Sequence, residues 1–495
     1  MTASSNAPHP GADTDTGKDI MHYLAALVGV VIMFGFGNLP PIAPITPIGM
    51  KVLGIFLGMI FLWSFVSILW PSLLGIVALI ICGYAPLKQV LHLSFGDTVP
   101  TLVLFAMVLF GAIQHGGVAR YISRWFLTRK IINGKPTVFS FIFIYATYVL
   151  GALSANILPV LLFMWAILYS LLEDVGYKKG DKYTAVMVIG TMFGAISAQA
   201  AKPFTGSALM IVGAYEKVAQ TQLNYFHYML FGFIMSSLGI VLYTLLIKFV
   251  FRPDMSKIQD ISIERFNKDP LPPMSFRQKI LAVSLVGYLT LVLLPSILPK
   301  SLPGIALLAK IGPLGSVILF VAVLCLFKVE GKPILNFKEI AGKYVIWDVY
   351  FLVCAAMAIS SAMTTGPTGI TEFLANLLAP VLGGYSPYMF AVILAALGMC
   401  LTQFANNGVM GVLLMPVVKA FIAQNGGNFE ANATLLIFAL HIAILTPAAS
   451  PYAAVIYGNT DWVSKKDVAF YGIAICIMSL LMYSIVGVPV MNFIY

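Results

Sequence analysis

Lys202 and Pro203 stand side by side inside an apolar stretch, AISAQAAKPFTGSALM, residues 195–210. A charge at the centre of a bilayer costs between roughly 2.5 and well over 10 kcal/mol, and proline breaks a helix interior. The pair therefore predicts a broken helix with an ammonium held at the break. The pattern returns: AAKPF (200–204) reappears as AASPY (448–452), which sets Ser450-Pro451 against Lys202-Pro203. Small polar side chains surround both breaks: Ser197, Gln199, Thr205 and Ser207 in the first, and Thr446 and Ser450, with Pro447 between them, in the second. Two further clusters precede them, Ser154-Ala155-Asn156 and Asn406-Asn407-Gly408, leading into NILPVLLFM (156–164) and NGVMGVLLM (407–415). Asn and Ser both donate and accept hydrogen bonds, and amides freed at a helix end bind anionic oxygens. Any one of these groups serves equally well as glue between helices. Four clusters in two matching pairs point instead to a shared site for a small anion.

The elements that position them must lie in a membrane. The 495 residues are 60% hydrophobic and only 10% charged, with a mean hydropathy of +0.94. That is too little charge to cover a soluble protein of this length. Apolar runs long enough to span a bilayer recur, for example at 99–117, 228–247 and 470–493. The expected fold is an all-α polytopic membrane protein with about 11 transmembrane helices and two re-entrant hairpins. The net charge of +10 sits mostly in short loops and is read as membrane orientation, with no nucleic-acid partner. The five cysteines lie in apolar segments without CxxC spacing, as small buried hydrophobes do. Residues 1–20 are polar and rich in Ser, Thr, Pro, Gly and Asp, which predicts a disordered tail.

Loop charges set the topology. The loop holding Arg120, Arg124, Arg129, Lys130 and Lys135, and the loop holding Lys178, Lys179 and Lys182, both read as cytoplasmic. The stretch between them, 137–172, must then return to the side it entered from, and GALSANILP suits the tip of such a hairpin. A hydrophilic linker, 252–279, divides the chain. The first repeat with its preceding helix is 21–251, containing the cytoplasmic-side hairpin 137–172 and a broken helix, 184–220. The second repeat is 280–495, with an outside hairpin, 386–424, and a broken helix, 429–458. The segments before the hairpins also match, as AIQHGGVA (112–119) and AMTTGPTG (362–369). The two halves form an inverted pair, a layout typical of secondary transporters.

ILTPAASPYAAVIYG (444–458) resembles the broken tenth helix of the divalent anion/sodium symporter family, and FANNGVMGVLLMPVV (404–418) is similar to that family's second hairpin. The resemblance covers most of the chain after the tail. It implies a carrier of di- and tricarboxylates that works by alternating access as a homodimer. Its substrate site would comprise Ser154, Asn156, Lys202, Pro203, Thr205, Asn406, Asn407, Thr446, Pro447, Ser450 and Pro451. Sodium, the implied coupling ion, would sit at Asn406, Asn407, Gly408, Thr446 and Ala449; no other cofactor is expected. The chain departs from the family's pattern. Its usual Ser-Asn-Thr is Asn406-Asn407-Gly408 in the second hairpin and Ser154-Ala155-Asn156 in the first, and Pro-Pro-Asn after the break is Pro451-Tyr452-Ala453.

These departures give Lys202 a role. Its ammonium is expected to replace the family's first sodium ion, and the carrier would then run as an exchanger or a proton-linked symporter. His441 lies one turn before the second break and reads as a hydrogen-bonded core histidine, while Asp348 and Glu216 sit near segment ends. Without a mid-membrane carboxylate a cation/proton antiporter is disfavoured. An enzyme is not expected, because HExxH, GxSxG and GxxxxGK[ST] are missing from the sequence. A carrier of an inorganic oxyanion such as sulfate and a passive anion channel remain the alternatives. The expected location is the inner, cytoplasmic membrane.

Overall fold

The computed structural model describes residues 12–118, 121, 134–154, 157–204, 206–260, 272–299, 301–364, 368–370, 372–373, 376, 385–404, 406–447, 449–459 and 462–495. Twenty α-helices among those residues carry the description. The first ten are α1 Ala12–Gly35, α2 Pro47–Phe65, α3 Leu69–Ile81, α4 Leu87–Leu93, α5 Thr98–His115, α6 Pro136–Ala152, α7 Ile157–Asp174, α8 Lys182–Ala201, α9 Gly206–Ala219 and α10 Tyr225–Leu245. The rest are α11 Phe276–Ile297, α12 Pro303–Leu326, α13 Phe337–Tyr344, α14 Trp347–Thr364, α15 Pro387–Leu401, α16 Asn407–Asn425, α17 Phe429–Leu440, α18 Pro451–Gly458, α19 Lys465–Met482 and α20 Val488–Ile494. Lys328–Val329 and Lys332–Pro333 pair as a minimal antiparallel hairpin, turning through Glu330 and Gly331, both at positive φ.

The all-α, membrane-spanning architecture expected from composition is what the chain adopts. Eight helices among the described residues are long and apolar enough to cross a bilayer, or up to nine if α13 and α14, bent by 80° at their junction, count as one span. The reading of about 11 spans also included segments that form shorter apolar helices, such as Leu69–Ile81 and Phe429–Leu440, while Pro136–Ala152 belongs to the stretch read as a hairpin. Helix α1 begins at Ala12, inside the stretch read as a tail. Its polar first turns continue the helix of an apolar segment, because each added residue gains one hydrogen bond on an existing nucleus.

Local chemistry fixes the helix starts. Thr46, Asp97, Ser275, Ser386, Asn406, Asn428, Ser450 and Ser464 are N-caps whose side chains accept a hydrogen bond from an amide of the first turn. Such a cap stabilises a helix by about 1 kcal/mol.

The broken helix α8–α9 lies at the centre: the 38 residues Lys182–Ala219 are among the eight candidate spans, and 94% of that span's most apolar window is buried within the protein. Helix α8 packs against α6, α7, α10 and α19, and α9 packs against α16 and α14. Close approach depends on glycine. A Cβ at Gly194 would lie 2.6 Å from the Ile144 carbonyl oxygen, so α6 and α8 meet backbone to backbone. A second set joins α2 and α14 to α3, and α12 and α13 to α5.

Candidate functional site

Helix α8 stops at Ala201, and Lys202, Pro203 and Phe204 form the break before α9. Proline cannot donate to the helical ladder, and Gly206 opens α9 at φ 63°, a conformation that L side chains adopt rarely. The Lys202 side chain is only 4% exposed. Its ammonium donates to the carbonyl oxygen of Gly151, at 3.3 Å, and to that of Ser154, and lies 5.5 Å from the centre of the Phe110 ring. The two carbonyls belong to the C-terminal end of α6, where the helix dipole is negative. The lysine therefore does not snorkel: its amine is held inside the protein by two carbonyls, at the tip between α6 and α7.

The second break is longer, running from His441 to Ser450. Ser450 Oγ caps α18 by accepting the Ala453 amide at 3.1 Å and donates to the Ala443 carbonyl at 2.9 Å. Asn406 Oδ1 caps α16, accepting the amides of Gly408 at 2.9 Å and Val409 at 3.4 Å. The Asn407 side chain also accepts from Gly408, at 3.0 Å.

A cavity of about 300 Å³ lies between these pieces. Lys202, Asn406, Asn407, Ser450 and Pro451 line it, together with Gln199, Ser207, Tyr452 and Asp348. The first residues of four helices face it: Ile157 of α7, Gly206 of α9, Asn407 of α16 and Pro451 of α18. Each helix start turns the positive end of its dipole toward the cavity, and the first turns of α16 and α18 are in part capped by Asn406 and Ser450. Four of them with one ammonium make a site for an anion. A larger hollow of about 510 Å³, between residues 221–225 and helices α11 and α12, carries no charged side chain among its lining residues and meets one helix start, that of α10.

Not every expected residue reaches the cavity. Ser154 is buried behind Lys202: its hydroxyl donates to the Leu150 carbonyl at 2.7 Å and its own carbonyl receives the ammonium. Pro203 is buried in the break and shapes it without lining the cavity. Thr446 turns away, donating to the Gln403 carbonyl and lining a separate hollow with Met399 and Phe404, while Pro447 is exposed. Asn156 and Thr205 lie outside the described residues. Among the residues expected to hold sodium, Gly408 offers its amide to two side-chain oxygens, and the Ala449 amide donates to the Thr446 carbonyl at 3.1 Å.

His441 is a buried core histidine that also joins the two halves. Its Nδ1 lies 2.7 Å from the Ile437 carbonyl, which fixes the hydrogen on Nδ1 and leaves Nε2 to accept from Ser207 Oγ at 2.9 Å. The Gln199 amide donates to the same hydroxyl at 2.9 Å. Two residues escaped the sequence reading. Asp348, placed near a segment end and given no role, faces the cavity from the first turn of α14. Gln403, four residues before Asn407 in an apolar segment, ties the second break together; a lone amide in such a segment is the signal that could have found it.

The chain matches the family described as the sodium:sulfate symporter transmembrane region, over residues 18–494. A curated relative from Haemophilus influenzae, called an uncharacterized transporter, is 26% identical over 140 residues, which is 28% of this chain and 30% of the relative. The matched segment thus spans about a third of that relative's length.

Proposed function

The chain belongs to the sodium:sulfate symporter transmembrane family, a family of transporters rather than enzymes in which sodium is the implied coupling ion, and from that premise we propose that it is a secondary carrier of small di- or tricarboxylates. The observation that carries this reading is the cavity faced by four helix starts and the Lys202 ammonium. Its volume of about 300 Å³ is at the lower end of small-molecule sites and suits a four- to six-carbon acid. The two halves act as inverted repeats whose hairpins and broken helices move together against a scaffold of α2, α3, α11 and α12, giving alternating access. The carrier works as a homodimer in the cytoplasmic membrane.

Lys202 takes the place of one coupling cation. A sodium ion at the tip of the first hairpin would need the Gly151 and Ser154 carbonyls, which the ammonium already occupies. The Lys202 amine then stands where a coupling cation would otherwise sit, beside the cargo site.

Sulfate is the second reading, favoured by the family's description and by the ability of helix N-termini to bind any oxyanion. Purified protein in liposomes preloaded with succinate, citrate, 2-oxoglutarate or sulfate tests both. Trans-stimulated uptake of a labelled carboxylate supports the proposal. Stimulation by sulfate alone selects the second reading, and flux without trans-stimulation identifies a channel.

A further inference from the structure

We propose that Gln403 does for the second break what Lys202 does for the first: its carboxamide fills the place of a coupling sodium, so that transport by this chain is independent of sodium. This rests on the carrier reading above. Gln403 is only 4% exposed and its side chain is fully engaged. Nε2 donates to the Met399 carbonyl at 2.7 Å and to the Ile442 carbonyl at 2.6 Å. Oε1 accepts the amides of Ile444 at 3.1 Å and Leu445 at 2.9 Å. One side chain thus ties the end of α15 to the first half of the broken segment after α17.

The geometry parallels that of the first half. There, an ammonium from the broken helix reaches carbonyls at the end of the hairpin's first helix. Here, an amide from the end of the hairpin's first helix reaches a carbonyl of the broken helix and one of its own helix. In both places carbonyl oxygens converge at helix C-termini, where the dipole attracts positive charge, and in both a protein N–H group meets them.

A hard cation is held by converging oxygen atoms, and the oxygens near this break are already engaged. Met399 O and Ile442 O accept the carboxamide hydrogens. Gln403 O accepts the Thr446 hydroxyl and Thr446 O accepts the Ala449 amide. Asn406 Oδ1 and Asn407 Oδ1 cap α16. A sodium ion entering between the Met399 and Ile442 carbonyls would meet the N–H hydrogens of Gln403.

Gln403→Glu reverses the polarity with a change of one atom. A carboxylate oxygen would then face the Met399 and Ile442 carbonyls, and three oxygens with a negative charge would converge. Two measurements test the proposal. Melting of the purified protein is followed as NaCl replaces choline chloride at constant ionic strength, which requires no cargo. Counterflow of the anion that the liposome assay identifies is measured in the same two salts. The parent is expected to melt at the same temperature in both and to exchange at the same rate; Gln403→Glu is expected to gain a saturable, sodium-specific rise in melting temperature. A saturable sodium effect on the parent, or a loss of parental exchange of about tenfold or more in choline, overturns the proposal. So does a folded Gln403→Glu protein that ignores sodium. If that variant does not fold, the parental titration alone decides. If no anion is exchanged in either salt, the carrier reading fails while the melting result still judges the place of Gln403.

Discussion

Lys202 shows how a buried charge is made tolerable and useful at once. The ammonium gains two carbonyls at a helix C-terminus and the face of Phe110, all of which favour a cation. Lys202→Gln keeps a donor for one carbonyl but removes the charge. We expect exchange to fall about a hundredfold, as losing a fixed electrostatic group does, while the protein still folds; parental rates in liposomes would refute a role in cargo binding. Lys202→Ala also strands both carbonyls, each at a cost of about 1–3 kcal/mol, so its melting temperature should drop well below that of the glutamine variant. Lys202, Ser450 and the Asn406-Asn407 pair were legible in the sequence, because polar residues amid apolar ones stand out. Thr446 and Pro447 were misjudged because spacing alone could not tell a ten-residue break from a short one. The bonds of Gln403 join positions about forty residues apart, and no local pattern announces them.

At the scale of elements, breaks and caps do the positioning. Ser450 closes α18 and anchors the Ala443 carbonyl. Ser450→Ala should cost about 1 kcal/mol in stability through the lost cap, and should weaken anion binding as the helix start loosens. Titration of the purified variant with its anion checks the second effect; unchanged affinity would confine Ser450 to a structural role. The contact of α6 with α8 permits a stricter test. Gly194→Ala places a methyl group against the Ile144 carbonyl, and overpacking of this kind costs about 1–3 kcal/mol. A methyl group at Gly342, in α13, would meet no neighbouring atom within 4 Å, so Gly342→Ala should be neutral or slightly stabilising. Equal melting temperatures for the two variants would contradict the backbone contact.

For the whole molecule, alternating access requires contacts that form and break between two sets of helices. One candidate is the pair of Lys217 on α9 with Asp97 at the start of α5, 3.4 Å apart, supported by the Lys217 bond to the Met357 carbonyl of α14 at 2.8 Å. Asp97 also caps α5 through the Val99 amide at 3.0 Å. Asp97→Asn preserves an oxygen for that cap and removes the charge. A half-buried pair of this kind contributes up to about 1 kcal/mol, so exchange should quicken by up to about fivefold with the preference among anions unchanged. A slower carrier would show that the pair stabilises the transition between states rather than one end state.

The sequence by itself determined the membrane setting, the two broken helices and the presence of a charge at the first break. Each follows from composition or from neighbouring residues: apolar length, a proline, a lysine without nearby acid. Only the tertiary structure decided what the charge touches, which polar residues share the cavity and which turn away. Those answers depend on pairings between distant segments, such as Lys202 with Gly151, Ser207 with His441 and Gln403 with Ile442. Buried donors and acceptors must find partners, but the rule that demands a partner does not name it; packing does.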